Sequence, residues 1–89
     1  MIFEWDEAKR QSTLDKHGLD FVDAVEVLAA PHLLLQARSD IEERQIAIGM
    51  IGEIHVAVIF TMRDETCRII TARRARRDER ERYKTLLPG

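Results

Sequence analysis

RQIAIGMIGEIHVAVIFTMRDETCRIITAR, residues 44–73, is the stretch whose reading decides the fold. Three strand-length apolar runs stand in it: Arg44 to Met50, Glu53 to Thr61 and Thr66 to Arg73. Ile51-Gly52 suits a tight hairpin, and Met62-Arg63-Asp64-Glu65 suits a four-residue loop. Connections this short join antiparallel neighbours, because a parallel crossover needs a dozen or more residues. The two runs flanking Met62 to Glu65 are apolar on both faces and therefore belong at the sheet centre.

Upstream, His32 to Ala37 adds a further strand-like run. Before it, Asp20 can cap a helix in which Phe21, Ala24, Val25 and Leu28 recur at helical spacing, with Pro31 just beyond its end. A first helix is predicted over Glu7 to His17, capped by Asp6 and stopped by Gly18. It is only weakly apolar, with Ala8 and Leu14 as its inward residues. Ile2 to Trp5 reads as a short edge element. Downstream, the chain turns helical from Arg76 or Arg77, with Tyr83, Leu86 and Leu87 packing inward before Pro88-Gly89 ends it. The expected architecture is one α+β domain over residues 1–89: an antiparallel β-meander sheet with two N-terminal helices and a C-terminal helix.

A chain of 89 residues, 45% hydrophobic and 34% charged, has enough apolar surface for one core and no room for a large cofactor pocket. No run of eighteen apolar residues exists, and MIFEWDEAKR lacks a signal peptide's basic start, so no membrane role and a cytoplasmic location are expected. The single Cys67 excludes an internal disulfide and reads as a buried small hydrophobe. His17, His32 and His55 are far apart in sequence and no HExxH motif accompanies them, so no metal is expected. Neither a GxGxxG, a P-loop nor a GxSxG sequence is present, and no cofactor is expected.

The net charge of −2 hides two opposed segments. Residues 1–60 hold five Lys/Arg against eleven Asp/Glu, or −6; residues 61–89 hold nine against five, or +4. Affinity for a polyanion is thus expected from the C-terminal third. RNA cleavage can run on cations and a phenol alone, because the 2′-hydroxyl is its own nucleophile and the protein must align it, spread charge over the phosphate and move protons. Arginine suits this work, since its planar fork binds phosphate oxygens bidentately. The candidates are Arg63 in the last hairpin loop, Arg73 at a strand end, and Arg80 with Tyr83 one helical turn apart; structurally, Arg63 reads as a loop cation, Arg73 and Arg74 as caps of the following helix or shields of a sheet edge, and Tyr83 as a core aromatic. His17, beside Gly18, is either a catalytic imidazole or a helix C-terminal cation. Lys16, Arg68, Arg74, Arg76 and Arg77 are candidates for holding RNA.

The motif spacing carries a resemblance. Phe3-x-Trp5-Asp6-x-x-Lys9, Lys16-His17-Gly18 and Phe21-x-x-Ala24 are followed by Pro31, Asp40-x-x-Glu43-Arg44 and Gly49. The tract Arg68-Ile69-Ile70-Thr71-Ala72-Arg73-x-Ala75-x-x-x-Glu79-Arg80-x-x-Tyr83 closes the series. In order and spacing this resembles the BrnT toxin family over nearly the entire chain, with Thr13 where the family usually has asparagine and Thr71 where serine is as common. The resemblance implies a RelE-like, metal-independent endoribonuclease of a type II toxin–antitoxin pair, inhibiting translation and growth. It also implies a BrnA-like antitoxin as partner, with operator DNA contacted only through that antitoxin. A non-catalytic interaction module within a DNA-binding repressor complex would show the same fold.

Overall fold

The computed structural model describes residues 1–37 and 43–87. Asp40 of the motif series and the terminal Pro88-Gly89 lie outside the described residues. The elements run β1 (Ile2–Glu4), α1 (Glu7–His17), α2 (Phe21–Ala29), β2 (Leu33–Ala37), β3 (Arg44–Ile51), β4 (Ile54–Arg63), β5 (Thr66–Arg74) and α3 (Arg77–Leu86). β2 to β5 form the antiparallel meander read from the sequence. β1 then joins β5 in parallel, giving a mixed five-stranded sheet in the order β1-β5-β4-β3-β2. β4 is central, and β1 covers what would otherwise be the open edge of β5. No helix among the described residues is long and apolar enough to cross a membrane.

Period-2 alternation divides β4 between two cores. Val56, Val58 and Phe60 meet Phe21, Ala24 and Val27 of α2 on one face, together with Cys67, Ile69 and Ala72 of β5. Ala57 and Ile59 join Leu33, Ile48, Ala75 and Tyr83 on the other face, where α3 lies. Each fully buried side chain such as Phe21, Ile48 or Ile69 contributes about 1.5–3 kcal/mol by leaving water. Cys67 is 1% exposed and its thiol pKa is pushed up by that burial, in keeping with a packing role.

Charge fixes the α1–α2 corner. The Asp6 carboxylate caps α1 by accepting from the Ala8 and Lys9 N–H groups, and Gly18 ends the helix in the left-handed region at φ 66°. Asp20 caps α2 through the Val22 N–H and also accepts from Arg10 Nε at 2.9 Å and Nη2 at 3.1 Å. One arginine of α1 thereby grips the N-cap of α2, and it holds the Asp20 carboxyl below its usual range.

Three local expectations are corrected. Ala8 is exposed and Leu14 only half-buried, whereas Thr13 is the buried residue of α1 at 3% exposure; α1 has no apolar stripe, so its contact with β5 decides which side is covered. The four-residue loop contracts to Asp64-Glu65, because β4 continues to Arg63, paired with Thr66, and Asp64 takes φ 57°. An aspartate tolerates that left-handed conformation, so no glycine is needed. Leu86 is 60% exposed: four residues after Arg82, it shares the outward side of α3 with Glu81, Arg82 and Thr85, while Tyr83 and Leu87 are half-buried.

Gly49 of β3 lies tightly under α2, since a Cβ there would stand 2.7 Å from Val27 Cγ1. Gly49→Ala should therefore lower stability by about 1–3 kcal/mol through overpacking. Urea unfolding should show this loss, and part of it should return when Val27→Ala is added.

Candidate active site on the α3 face

β5 hands the chain to α3 through one carboxylate. The Ala75 N–H donates to the His55 carbonyl at 3.0 Å, carrying the β4–β5 pairing past the last strand residue. Arg76 stays extended as N-cap, and Glu79, three residues on, accepts its backbone N–H at 2.7 Å, which is one half of a capping box. Arg73 donates to the same carboxylate from Nη1 at 2.8 Å and Nη2 at 3.0 Å. Glu79 is 5% exposed. The Arg73 fork, aided by the Arg76 N–H, holds its carboxyl below the usual range against the opposing effect of burial.

This junction sets α3 over β3 and β2. Tyr83 is half-buried against the α3-side core, and its ring meets His55 edge-on, with centroids 5.5 Å apart and planes at 81°. Arg80 and Lys84 are exposed, and both charges act on His55. Burial first, then Lys84 and Arg80, lower the imidazole pKa. The face thus gathers an imidazole that favours its neutral form, a phenol and two cations. A neutral imidazole can accept a proton, and the cations can hold an oxyanion beside it.

The sequence-derived candidates are distributed unevenly. Tyr83 meets His55, and the Arg80 charge acts on the same imidazole. Arg73 adjoins them, but its guanidinium is committed to Glu79. Arg63 stands at the far end of β4, six residues beyond Ala57, the register partner of Arg73, or roughly 20 Å along the strand. Arg68 lies near that same end, 3.6 Å from Glu4. Lys16 and His17 are exposed in the last turn of α1 and, among the described contacts, touch none of His55, Arg80 and Tyr83. Arg74, Arg76 and Arg77 are exposed around the start of α3, where Arg77 forms a loose pair with Glu81 at 3.5 Å. His55 is the residue the sequence reading missed. Strand parity was the available signal, for a residue two before Ala57 shares its face.

Comparison with known proteins follows from this geometry. The family described as "Ribonuclease toxin, BrnT, of type II toxin-antitoxin system" matches residues 5–79. The crystal structure of the Brucella abortus ribonuclease toxin BrnT is similar, with a TM-score of 0.68 and 36% identity, covering 86% of this chain and 100% of that one. Among curated proteins no match is found. The matched segment includes both members of the Arg73–Glu79 pair and stops one residue before Arg80.

Two outcomes are expected of this site. The His55 ring protons should titrate below the ordinary imidazole range in NMR, and Lys84→Gln should raise that midpoint; an unchanged midpoint in the variant would remove Lys84 from the cluster. Glu79→Gln should cost on the order of 3 kcal/mol by leaving Arg73 without its carboxylate. The Glu79 contribution is present above the ordinary glutamate pKa and is lost as pH falls through the depressed folded value, so acid unfolding should be shallower in the variant.

Proposed function

The chain belongs to the family of BrnT ribonuclease toxins of type II toxin–antitoxin systems, and on that basis we propose that it is a metal-independent endoribonuclease with a RelE-like active face. The observation that carries the reading is the His55–Tyr83 ring contact on the α3 face, on which the Lys84 and Arg80 charges act. In the proposed reaction the 2′-oxygen attacks the adjacent phosphorus and the bond to the 5′-oxygen breaks. His55 accepts the 2′-hydroxyl proton, Arg80 holds the phosphate oxygens, and the leaving 5′-oxygen takes its proton from the Tyr83 hydroxyl or, where Tyr83 only hydrogen-bonds the phosphate, from the protonated His55. Products are a 2′,3′-cyclic phosphate and a 5′-hydroxyl. Arg73 acts as a positioning residue, through Glu79. Arg63, Arg68, Arg74, Arg76, Arg77, Lys16 and His17 serve the path of the RNA outside the reacting atoms.

The same reading includes a neutralising partner. A BrnA-like, DNA-binding antitoxin covers the cationic face, arrests cleavage and carries the pair to operator DNA. In the cytoplasm, release of the toxin from that partner halts translation and growth. The −6 segment of residues 1–60 favours fast docking of a basic antitoxin segment.

Cleavage should persist in EDTA, and RNA with 2′-deoxy at the cut site should be inert. Activity lost in EDTA and restored by Mg²⁺, on an RNA whose own fold is indifferent to Mg²⁺, would overturn the metal-independent reading. Arg80→Ala and Tyr83→Phe should each slow single-turnover cleavage by roughly a hundredfold to a thousandfold, or about 2.7–4 kcal/mol. Tyr83→Phe keeps the ring in the core, so its stability should change by no more than about 1 kcal/mol. Two folded and fully active variants would remove α3 from the reaction.

A further inference from the structure

A second cationic site stands at the other end of the sheet. Lys9 of α1, Arg44 at the start of β3 and Arg68 of β5 line one recess of about 240 Å³ with Asp6, Ile69 and Ile70. These residues come from three distant parts of the chain and meet only through the fold. Among the described residues, Lys9, Arg44 and Arg68 share the recess with Asp6, Glu4 stands 3.6 Å from Arg68 beside it, and Asp6 already accepts two backbone N–H groups as the cap of α1. The strand is shaped at this point too. Ile59 pairs with Thr71 and Phe60 with Ile69, which leaves Ile70 unpaired in a β-bulge. Bulges re-aim the side chains around them, and this one adjoins Arg68 and the apolar lining of the recess.

We propose that this recess is a phosphate-binding subsite that holds the backbone of single-stranded RNA at a nucleotide other than the one cleaved. Arg68 provides a planar fork for phosphate oxygens, Lys9 and Arg44 add positive charge, and the half-buried Ile70 gives an apolar wall for a ribose or base. The Arg68–Glu4 contact, at 3.6 Å, is longer than a hydrogen bond and half exposed, so a phosphate can displace it at little cost. Arg68 and Arg73 stand five positions apart on β5, or about 16 Å, more than one nucleotide can span. The inference rests on RNA being the substrate, but the subsite takes no part in the bond-breaking step.

Anisotropy of a fluorescein-labelled, fully 2′-O-methylated RNA decamer, which cannot be cleaved, tests the proposal across a salt series. Lys9→Gln and Arg68→Gln should each weaken binding similarly for every sequence tried. Each should also reduce the slope of log affinity against log salt by about 0.7, the value for one lost single-strand phosphate contact. Glu4→Gln removes the anion that competes for Arg68, so it should bind RNA at least as tightly as the unaltered protein. Unchanged affinity and slope in either cation variant would overturn the subsite. So would a Glu4→Gln loss equal to that of Arg68→Gln, which would trace the effect to β1–β5 contact instead. An unaltered protein that cleaves no RNA yet binds the decamer with these slopes would sink the catalytic reading and leave the subsite standing.

Discussion

The bidentate contact between Arg73 and Glu79 ties the end of β5 to the first turn of α3, and what α3 presents to solvent follows from it. The carboxylate does two jobs, for it also accepts the Arg76 N–H and so satisfies one of the orphan donors at the helix start. Burying Glu79 is unfavourable taken alone; two charge-assisted bonds and one backbone donor offset that penalty. With the junction fixed, Tyr83 falls on the core and against His55, and Arg80 remains exposed beside them. An arginine that looks like a phosphate ligand in sequence thus anchors the helix that carries Arg80.

Much of the fold was legible because β4 and β5 are continuous apolar runs of strand length joined by a short turn and because Asp6, Gly18 and Asp20 mark helix ends by their own chemistry. The misreadings share a cause. α1 has no apolar stripe, so the burial of Thr13 is decided by the sheet beneath it, which no local pattern encodes. That Arg73 could serve the start of the following helix was open from sequence, but its partner Glu79 was hidden because a pair six residues apart across a strand–helix junction fits neither helical nor strand spacing. The turn at Asp64-Glu65 was overestimated because a two-residue hairpin is ordinarily announced by glycine, and here aspartate takes the left-handed position.

The linear charge tally was similarly incomplete. It assigned polyanion affinity to the basic residues 61–89, yet Lys9 and Arg44 come from the acidic segment and reach the recess beside Arg68. Parallel addition of β1 to β5 is what brings the start of α1 there, because Glu4 is registered with Arg68 and the helix begins three residues later. Folding sorts the charges by position, so a chain of net −2 still presents cations at both ends of one sheet.

The distance between those ends has an electrostatic meaning. Two unit charges about 16 Å apart in water interact by only about 0.3 kcal/mol, and the screening length at physiological salt is about 8 Å. The recess and the α3 cluster are therefore nearly independent, and a phosphate in one does not repel a phosphate from the other. A mononucleotide can fill either but gains nothing from the pair. A strand that reaches both adds their contributions, because the second contact is made at the high local concentration imposed by the first. Spacing alone thus favours a polymer over its fragments, without any base being read, and it leaves sequence preference to whatever the bases touch between the two ends.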